Sequence, residues 1–186
     1  MITVEINGEE RQYPQGATYE DVANDYQKEY DNLIALAARD GKIRELFKKL
    51  TRDCEITFFT LKDDVGNKTY VRSATMLFLK AVFDVFGRET VQNCRVEFAI
   101  GNGSYISPKG KINATEENAA KIRNRMRELV EAKTPFLKKS YSLDNAMELF
   151  RREGMKDKEK LFRYRRGSFV NIYEMDGYYD YYYGYM

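Results

Sequence analysis

Histidine does not occur anywhere in this 186-residue chain. Its absence removes the usual general base near neutral pH and the commonest metal ligand. Neither a Ser-His-Asp nor a Cys-His arrangement can be built from these residues alone. Cysteine is nearly as scarce. Cys54 and Cys94 stand far apart in no motif, which makes a poor start for a metal site and suits two strand residues in a reducing compartment. No apolar run approaches the ~18 residues of a membrane span. No signal peptide is visible either, because Met1 leads directly into a strand pattern. A cytoplasmic protein is the expectation. The charge excess is small, +2 overall, which argues against a strongly cationic DNA-coating protein and leaves room for a local basic face.

What the chain does have is a core: 43% of its residues are hydrophobic, ample for packing. The organising stretch is residues 70–86, where apolar side chains fall at 74, 77, 78, 81, 82 and 85, the spacing of a buried helix. Gly87 stands where a C-cap would sit. Arg72, Met76 and Lys80 follow one another at intervals of four and share a stripe of that helix.

Before it, Ile2, Val4 and Ile6 alternate with Thr3 and Glu5 as a half-buried strand, and Asn7-Gly8 supplies the positive φ angles of a hairpin turn. The chain returns over 9–13 and breaks at Pro14-Gln15-Gly16. A helix then starts at Thr18, with Asp21 in capping-box position. Residues 33–37 and 43–46 pair about Asp40-Gly41, and 54–59 forms a last strand. The polar run 63–68, which holds Gly66, reads as a linker.

After the central helix, residues 91–98 read as a strand and 100–106 as a hairpin. The Gly101-Asn102-Gly103 there lacks the Lys and the strand-loop-helix context of a phosphate loop. Thr115 caps a helix with Glu116 and Glu117 in its first turn. Lys121, Arg123, Arg125 and Arg127 lie largely off that helix's apolar stripe, as a solvated face or a phosphate-contacting one. Ser142 caps a further helix closed by Gly154, and residues 156–160 read as a charged loop. The last ten residues hold six tyrosines, fit either for stacking bases or for a strand pair.

Residues 1–62 resemble a β-grasp of the TGS type, on the Asn7-Gly8 hairpin, the segment from Pro14 through Ala23, and Asp40-Gly41-Lys42. The part that follows resembles the second domain of threonyl-tRNA synthetases, shared with alanyl-tRNA synthetase editing domains. Val71-Arg72-Ser73-Ala74-Thr75-Met76-Leu77 overlays that family's Arg-His-Ser-x-x-His-Leu, and Tyr164-Arg165-Arg166-Gly167-Ser168-Phe169-Val170-Asn171-Ile172 resembles its Tyr-Arg-x-Gly-x-Phe-x-Asp-Leu. The resemblance implies an α+β fold: a β-grasp domain over 1–62, a linker over 63–69, and an editing-like domain over 70–186 that stops before the family's pattern is complete. The family's first two histidines land on Arg72 and Met76. Its later Cys and His fall on Tyr173 and Gly177 without a gap, or on Tyr182 and Met186 with an insertion. The resemblance therefore implies a degenerate editing site with no catalytic residue, no metal and no cofactor.

Bacterial uridine-kinase-like proteins join both modules to a P-loop kinase domain, and the chain is similar to their N-terminal part. No Gly-x-x-x-x-Gly-Lys-Ser/Thr occurs here, so the kinase half would lie outside this chain. The function this implies is a non-catalytic, regulatory region that binds RNA or a nucleotide, with no membrane and no DNA partner. Its expected ligand residues are Arg72, Met76, Lys80, Tyr178, Tyr182, Tyr185 and Met186, gathered between the central helix and the tyrosine-rich tail. The alternatives are a docking or dimerisation module, or an aminoacyl-tRNA deacylase-type hydrolase, with carboxylates such as Glu97 or Asp176 as its candidate groups.

Overall fold

A computed structural model describes residues 1–101, 103–110 and 112–186. By its internal contacts the chain falls into two compact units, Met1–Ala74 with Tyr183–Met186, and Thr75–Tyr182.

The first unit is built on five strands: β1 (Ile2–Ile6), β2 (Glu9–Tyr13), β3 (Ile34–Arg39), β4 (Lys42–Glu45) and β5 (Cys54–Thr60). Their order is β2-β1-β5-β3-β4, and β1 and β5 run parallel at the centre with antiparallel strands on either side. Helix α1 (Tyr19–Tyr26) supplies Tyr19, Val22, Ala23 and Tyr26 to a core completed by Ile2, Val4, Ile6, Ile34, Ile56 and Phe58. This is the expected β-grasp. Asn7-Gly8 and Asp40-Gly41 both carry positive φ, as tight two-residue turns require. The capping box at Thr18 forms with both of its hydrogen bonds, 3.2 Å from the Asp21 amide and 2.7 Å from the Thr18 amide to the Asp21 carboxylate. The Thr18 amide and, at 2.9 Å, the Thr18 hydroxyl both donate to the Asp21 carboxylate and hold that carboxyl below its ordinary pKa.

Residues 63–69 are not an irregular linker. Helix α2 spans Asp64–Phe86, and the division between the units falls inside it. Asp63 turns the corner out of β5. Its carboxylate accepts from the Thr60 amide at 2.7 Å, and its carbonyl accepts the Asn67 amide at 2.8 Å. Gly66 lies buried against the end of β5, where a Cβ would stand 2.0 Å from the Thr60 carbonyl oxygen. The glycine that suggested a break is needed for close approach.

The second unit holds the rest of α2 and, in chain order, α3 (Arg88–Asn93), β6 (Arg95–Ile100), β7 (Gly103–Ser107), α4 (Glu116–Glu131), β8 (Leu137–Ser142), α5 (Leu143–Arg152), α6 (Lys156–Arg163), β9 (Phe169–Met175) and β10 (Tyr178–Asp180). Strands β10-β9-β8 form one antiparallel sheet, and β6 and β7 pair as a separate hairpin. Ala81, Val82, Leu129, Ala146, Phe150, Phe162, Ile172 and Tyr173 are buried, with the Phe150 and Phe162 rings 5.4 Å apart. Thr115 and Ser142 cap α4 and α5 as expected.

Two expectations are corrected here. The strand expected over 91–98 begins only at Arg95, because Gly87 (φ +83) starts the short helix α3. The charged loop expected over 156–160 is α6, held by the buried Phe162. Asn102, at the tip of the expected hairpin, lies outside the described residues. Among the described residues no helix is long and apolar enough to cross a membrane.

Candidate functional site

The seven expected ligand residues fall into two groups, one in each unit. In the first unit Arg72 meets the end of the chain. Its Nη1 donates to the Tyr185 carbonyl at 3.3 Å, and the guanidinium lies directly on Gly184, where a Cβ would stand 2.8 Å from Cζ. Gly184 has φ +124, so a side chain there would meet both strain and the guanidinium. The Met186 amide donates to Glu45 Oε1 at 3.3 Å, with Glu45 buried on β4. Arg72 and Tyr185 are half-buried and Met186 is buried. Arg72 thus presents a permanent charge beside ordered backbone, which suits an anionic group and opposes a metal cation.

In the second unit, Met76 and Lys80 are core residues rather than surface ones, 0% and 2% exposed. The Lys80 ammonium donates to Asp84 Oδ1 at 2.8 Å and to the Asp176 carbonyl at 2.6 Å, and it lies 3.1 Å from the Asp176 carboxylate. Arg125 holds the other oxygen of Asp84 at 2.8 Å. Lys80 therefore ties α2 to the β9–β10 turn. That turn is Asp176-Gly177 with φ +45 and +80, and its Asp176 carbonyl gives the buried ammonium an acceptor. A lysine committed in this way is not a phosphate contact.

Tyr178 is also corrected from a stacking face to a core residue. It is buried against Phe83, centroids 5.7 Å apart, and its hydroxyl donates to Asp180 at 3.2 Å. Tyr182 packs edge-on to Tyr173 at 6.4 Å. Burial first, then the Asp180 charge, pushes both the Tyr178 and Tyr182 phenols well above the ordinary tyrosine pKa. Asp180, 1% exposed, is neutralised by Lys158 and accepts the Tyr181 amide at 2.6 Å. The tyrosine-rich segment up to Tyr182 is thus largely an internal aromatic and hydrogen-bonded cluster. Residue spacing alone could not reveal this, since strand tyrosines and stacking tyrosines share one pattern.

The carboxylates named for hydrolysis are each paired with a lysine, Glu97 with Lys109 at 3.6 Å and Asp176 with Lys80. Among the described residues no three Cys, Asp or Glu side chains gather as a metal ion would require. Sequence reasoning missed a cavity of about 500 Å³ in the second unit, lined by Phe78, Val82, Cys94, Ile106, Ile122 and Met126 among others. Burial raises the Cys94 thiol there. The signal for it was that Phe78 and Val82 of α2 and Ile122 and Met126 of α4 are two pairs at helical spacing.

By fold, then, the chain is α+β, a β-grasp sheet in one unit and helices with an antiparallel sheet in the other. No family model matches it. Among characterised proteins it is similar to threonine–tRNA ligases. Identity is 27% over 177 residues with that of Thermotoga petrophila, which is 89% of this chain and 27% of the ligase. It is 28% over the same length with that of Thermotoga maritima, and 27% over 183 residues with that of Maricaulis maris, 92% of this chain and 28% of the ligase. The chain thus spans about a quarter of the length of these curated relatives. The similarity is to their N-terminal region, and the observed fold agrees with it.

Proposed function

We propose that this chain is a non-catalytic region that binds RNA or a nucleotide and serves as the N-terminal, regulatory part of a longer uridine-kinase-like protein. The observation that carries the reading is similarity to threonine–tRNA ligases across most of a chain that contains no histidine. In this reading residues 1–62 are a TGS-like module and 70–186 a degenerate editing-type domain. Arg72 and Met76 stand where the resembled motif has histidines. The second half of the longer protein is a P-loop kinase domain, and no cofactor is needed in this part.

The ligand contact assigned here is Arg72, backed by Gly184, Tyr185 and Met186. A guanidinium with several donors takes a phosphate or a terminal ribose-phosphate well, and only one donor is needed for the Tyr185 carbonyl. Met76, Lys80, Tyr178 and Tyr182 act as scaffold. The test is titration with nucleotides and with short RNA ending in CCA at low and high salt. Binding weakens as salt rises if phosphates are contacted, and Arg72→Ala weakens it further. No binding by any of these ligands, or binding indifferent to Arg72→Ala, ends this reading.

A docking role is the second reading, favoured by the β6–β7 hairpin. Val96, Phe98, Ile100 and Tyr105 are 45%, 57%, 60% and 48% exposed there, an unusual run of apolar surface. Sedimentation of the wild type against Phe98→Ser would show self-association through this hairpin.

A further inference from the structure

We infer that the outer face of α6 and the turn that follows it form a second contact surface, one that holds the sugar-phosphate backbone of single-stranded RNA. The inference rests on the proposal that this chain binds RNA, and it assigns contacts to residues other than Arg72.

The charge distribution points to this surface. Residues 156–166 carry six cations and two carboxylates, a local +4 in a chain whose total is +2, so everything else together is net negative. The inner side of α6 accounts for part of this charge. Lys158 neutralises the buried Asp180, Phe162 enters the core, and Glu159 accepts from Arg151 at 3.0 Å and Arg163 at 2.9 Å. Lys156 and Lys160 stand at i and i+4 on the opposite side, in line with Arg163 at i+7, whose charge Glu159 already meets. Lys156, Lys160 and Arg166 are exposed and have no carboxylate partner among the described residues. Asp157, also exposed, is the one acidic group left on this stretch of the surface.

Aromatic side chains are interleaved with the cations. Tyr164, at the end of α6, is 79% exposed, and Phe169, at the start of β9, is 67% exposed. Both are far more open than a ring needed for packing. Between them Arg165 is fixed, donating to the Tyr181 hydroxyl and lying 5.2 Å over its ring. Cations that follow a backbone and open rings on which bases stack are the pairing that single-stranded nucleic acids select. An anionic phospholipid surface would use cations and rings alike, so vesicles are the control that separates the two.

The experiment is fluorescence anisotropy of a labelled 12-nucleotide single-stranded RNA with the 186-residue chain across a salt series. Three variants accompany it: Lys156→Gln/Lys160→Gln/Arg166→Gln, Tyr164→Ala and Arg72→Ala. All the substituted α6 and turn positions are exposed, and circular dichroism checks folding. Loss of three phosphate contacts makes the log–log salt slope shallower by about two and weakens low-salt binding about tenfold or more. Tyr164→Ala weakens it about fivefold or more. If only Arg72→Ala reduces binding, the α6 surface is refuted while the Arg72 reading stands. If only the α6 variants reduce it, the inference holds and the Arg72 contact falls. If nothing binds, both fall. Equal, salt-matched binding to anionic phospholipid vesicles also overturns the assignment to RNA.

Discussion

Gly66→Ala should destabilise the protein, against the ordinary rule for helices. In a helix interior alanine is favoured over glycine by about 1 kcal/mol. Gly66 sits in the first turn of α2, and its new Cβ would stand 2.0 Å from the Thr60 carbonyl oxygen and 2.8 Å from the Thr60 carbonyl carbon. Both are backbone atoms, so no rotamer change relieves the overlap. The end of β5 or the start of α2 must move, at about 1–3 kcal/mol for overpacking. That movement also strains the 2.7 Å bond from the Thr60 amide to Asp63, a cap-like contact worth about 1 kcal/mol. The net expectation is a loss of about 1–3 kcal/mol, or a urea midpoint lower by about 1 M at a slope near 2 kcal/mol/M. The neighbouring exposed Asn67→Ala is the control and should stabilise by up to about 0.7 kcal/mol through propensity alone. Urea unfolding followed by circular dichroism measures both. A Gly66→Ala protein as stable as the wild type, or more so, would refute the account of the β5–α2 corner.

Lys80→Met keeps the buried stem and removes the charge. Asp84 retains Arg125, so the loss should be about 2 kcal/mol rather than the 3–5 of a fully orphaned buried pair, and an unchanged urea midpoint would contradict it. Absorbance at 295 nm should show Tyr178 and Tyr182 ionising well above the ordinary tyrosine range. Tyr13 is pushed up to about 12 by burial and then by its hydrogen bond to Asp25. Since the folded chain holds these protons more tightly than the unfolded chain, their stabilisation is complete below pH 10 and is lost as pH rises toward 12. A urea midpoint no lower at pH 11 than at pH 9 would show the sign to be wrong. Protein purified without an affinity tag should contain no stoichiometric zinc by elemental analysis, and one zinc per chain would contradict the proposal of a site without metal ligands.

The β-grasp was legible because its signals are local. Alternation in 2–6, the Asn7-Gly8 and Asp40-Gly41 turns, and the Thr18–Asp21 cap each specify their own element. Where elements were misread, the governing contact was distant. Gly66 looked like a break because nothing in 63–68 shows that Thr60 will lie against it. Helix α6 looked like a loop because its single buried ring, Phe162, packs on Phe150 of another helix. The candidate site was harder still. Arg72, Met76 and Lys80 do share a stripe, yet Met76 and Lys80 are buried, Lys80 against Asp84 and the Asp176 turn, and spacing along one helix does not tell which of its faces is covered. The tyrosines divide in the same way: Tyr178 faces Phe83 in the core, and Tyr183 is 82% exposed.

The central claim is a site that binds without reacting, and it is tested most directly by incubating the chain with a mischarged tRNA at protein concentrations where anisotropy shows the tRNA bound. The account predicts a saturable, salt-sensitive complex in which the aminoacyl ester is released no faster than in buffer. Ester release accelerated by the protein, or no complex at low salt, would contradict it.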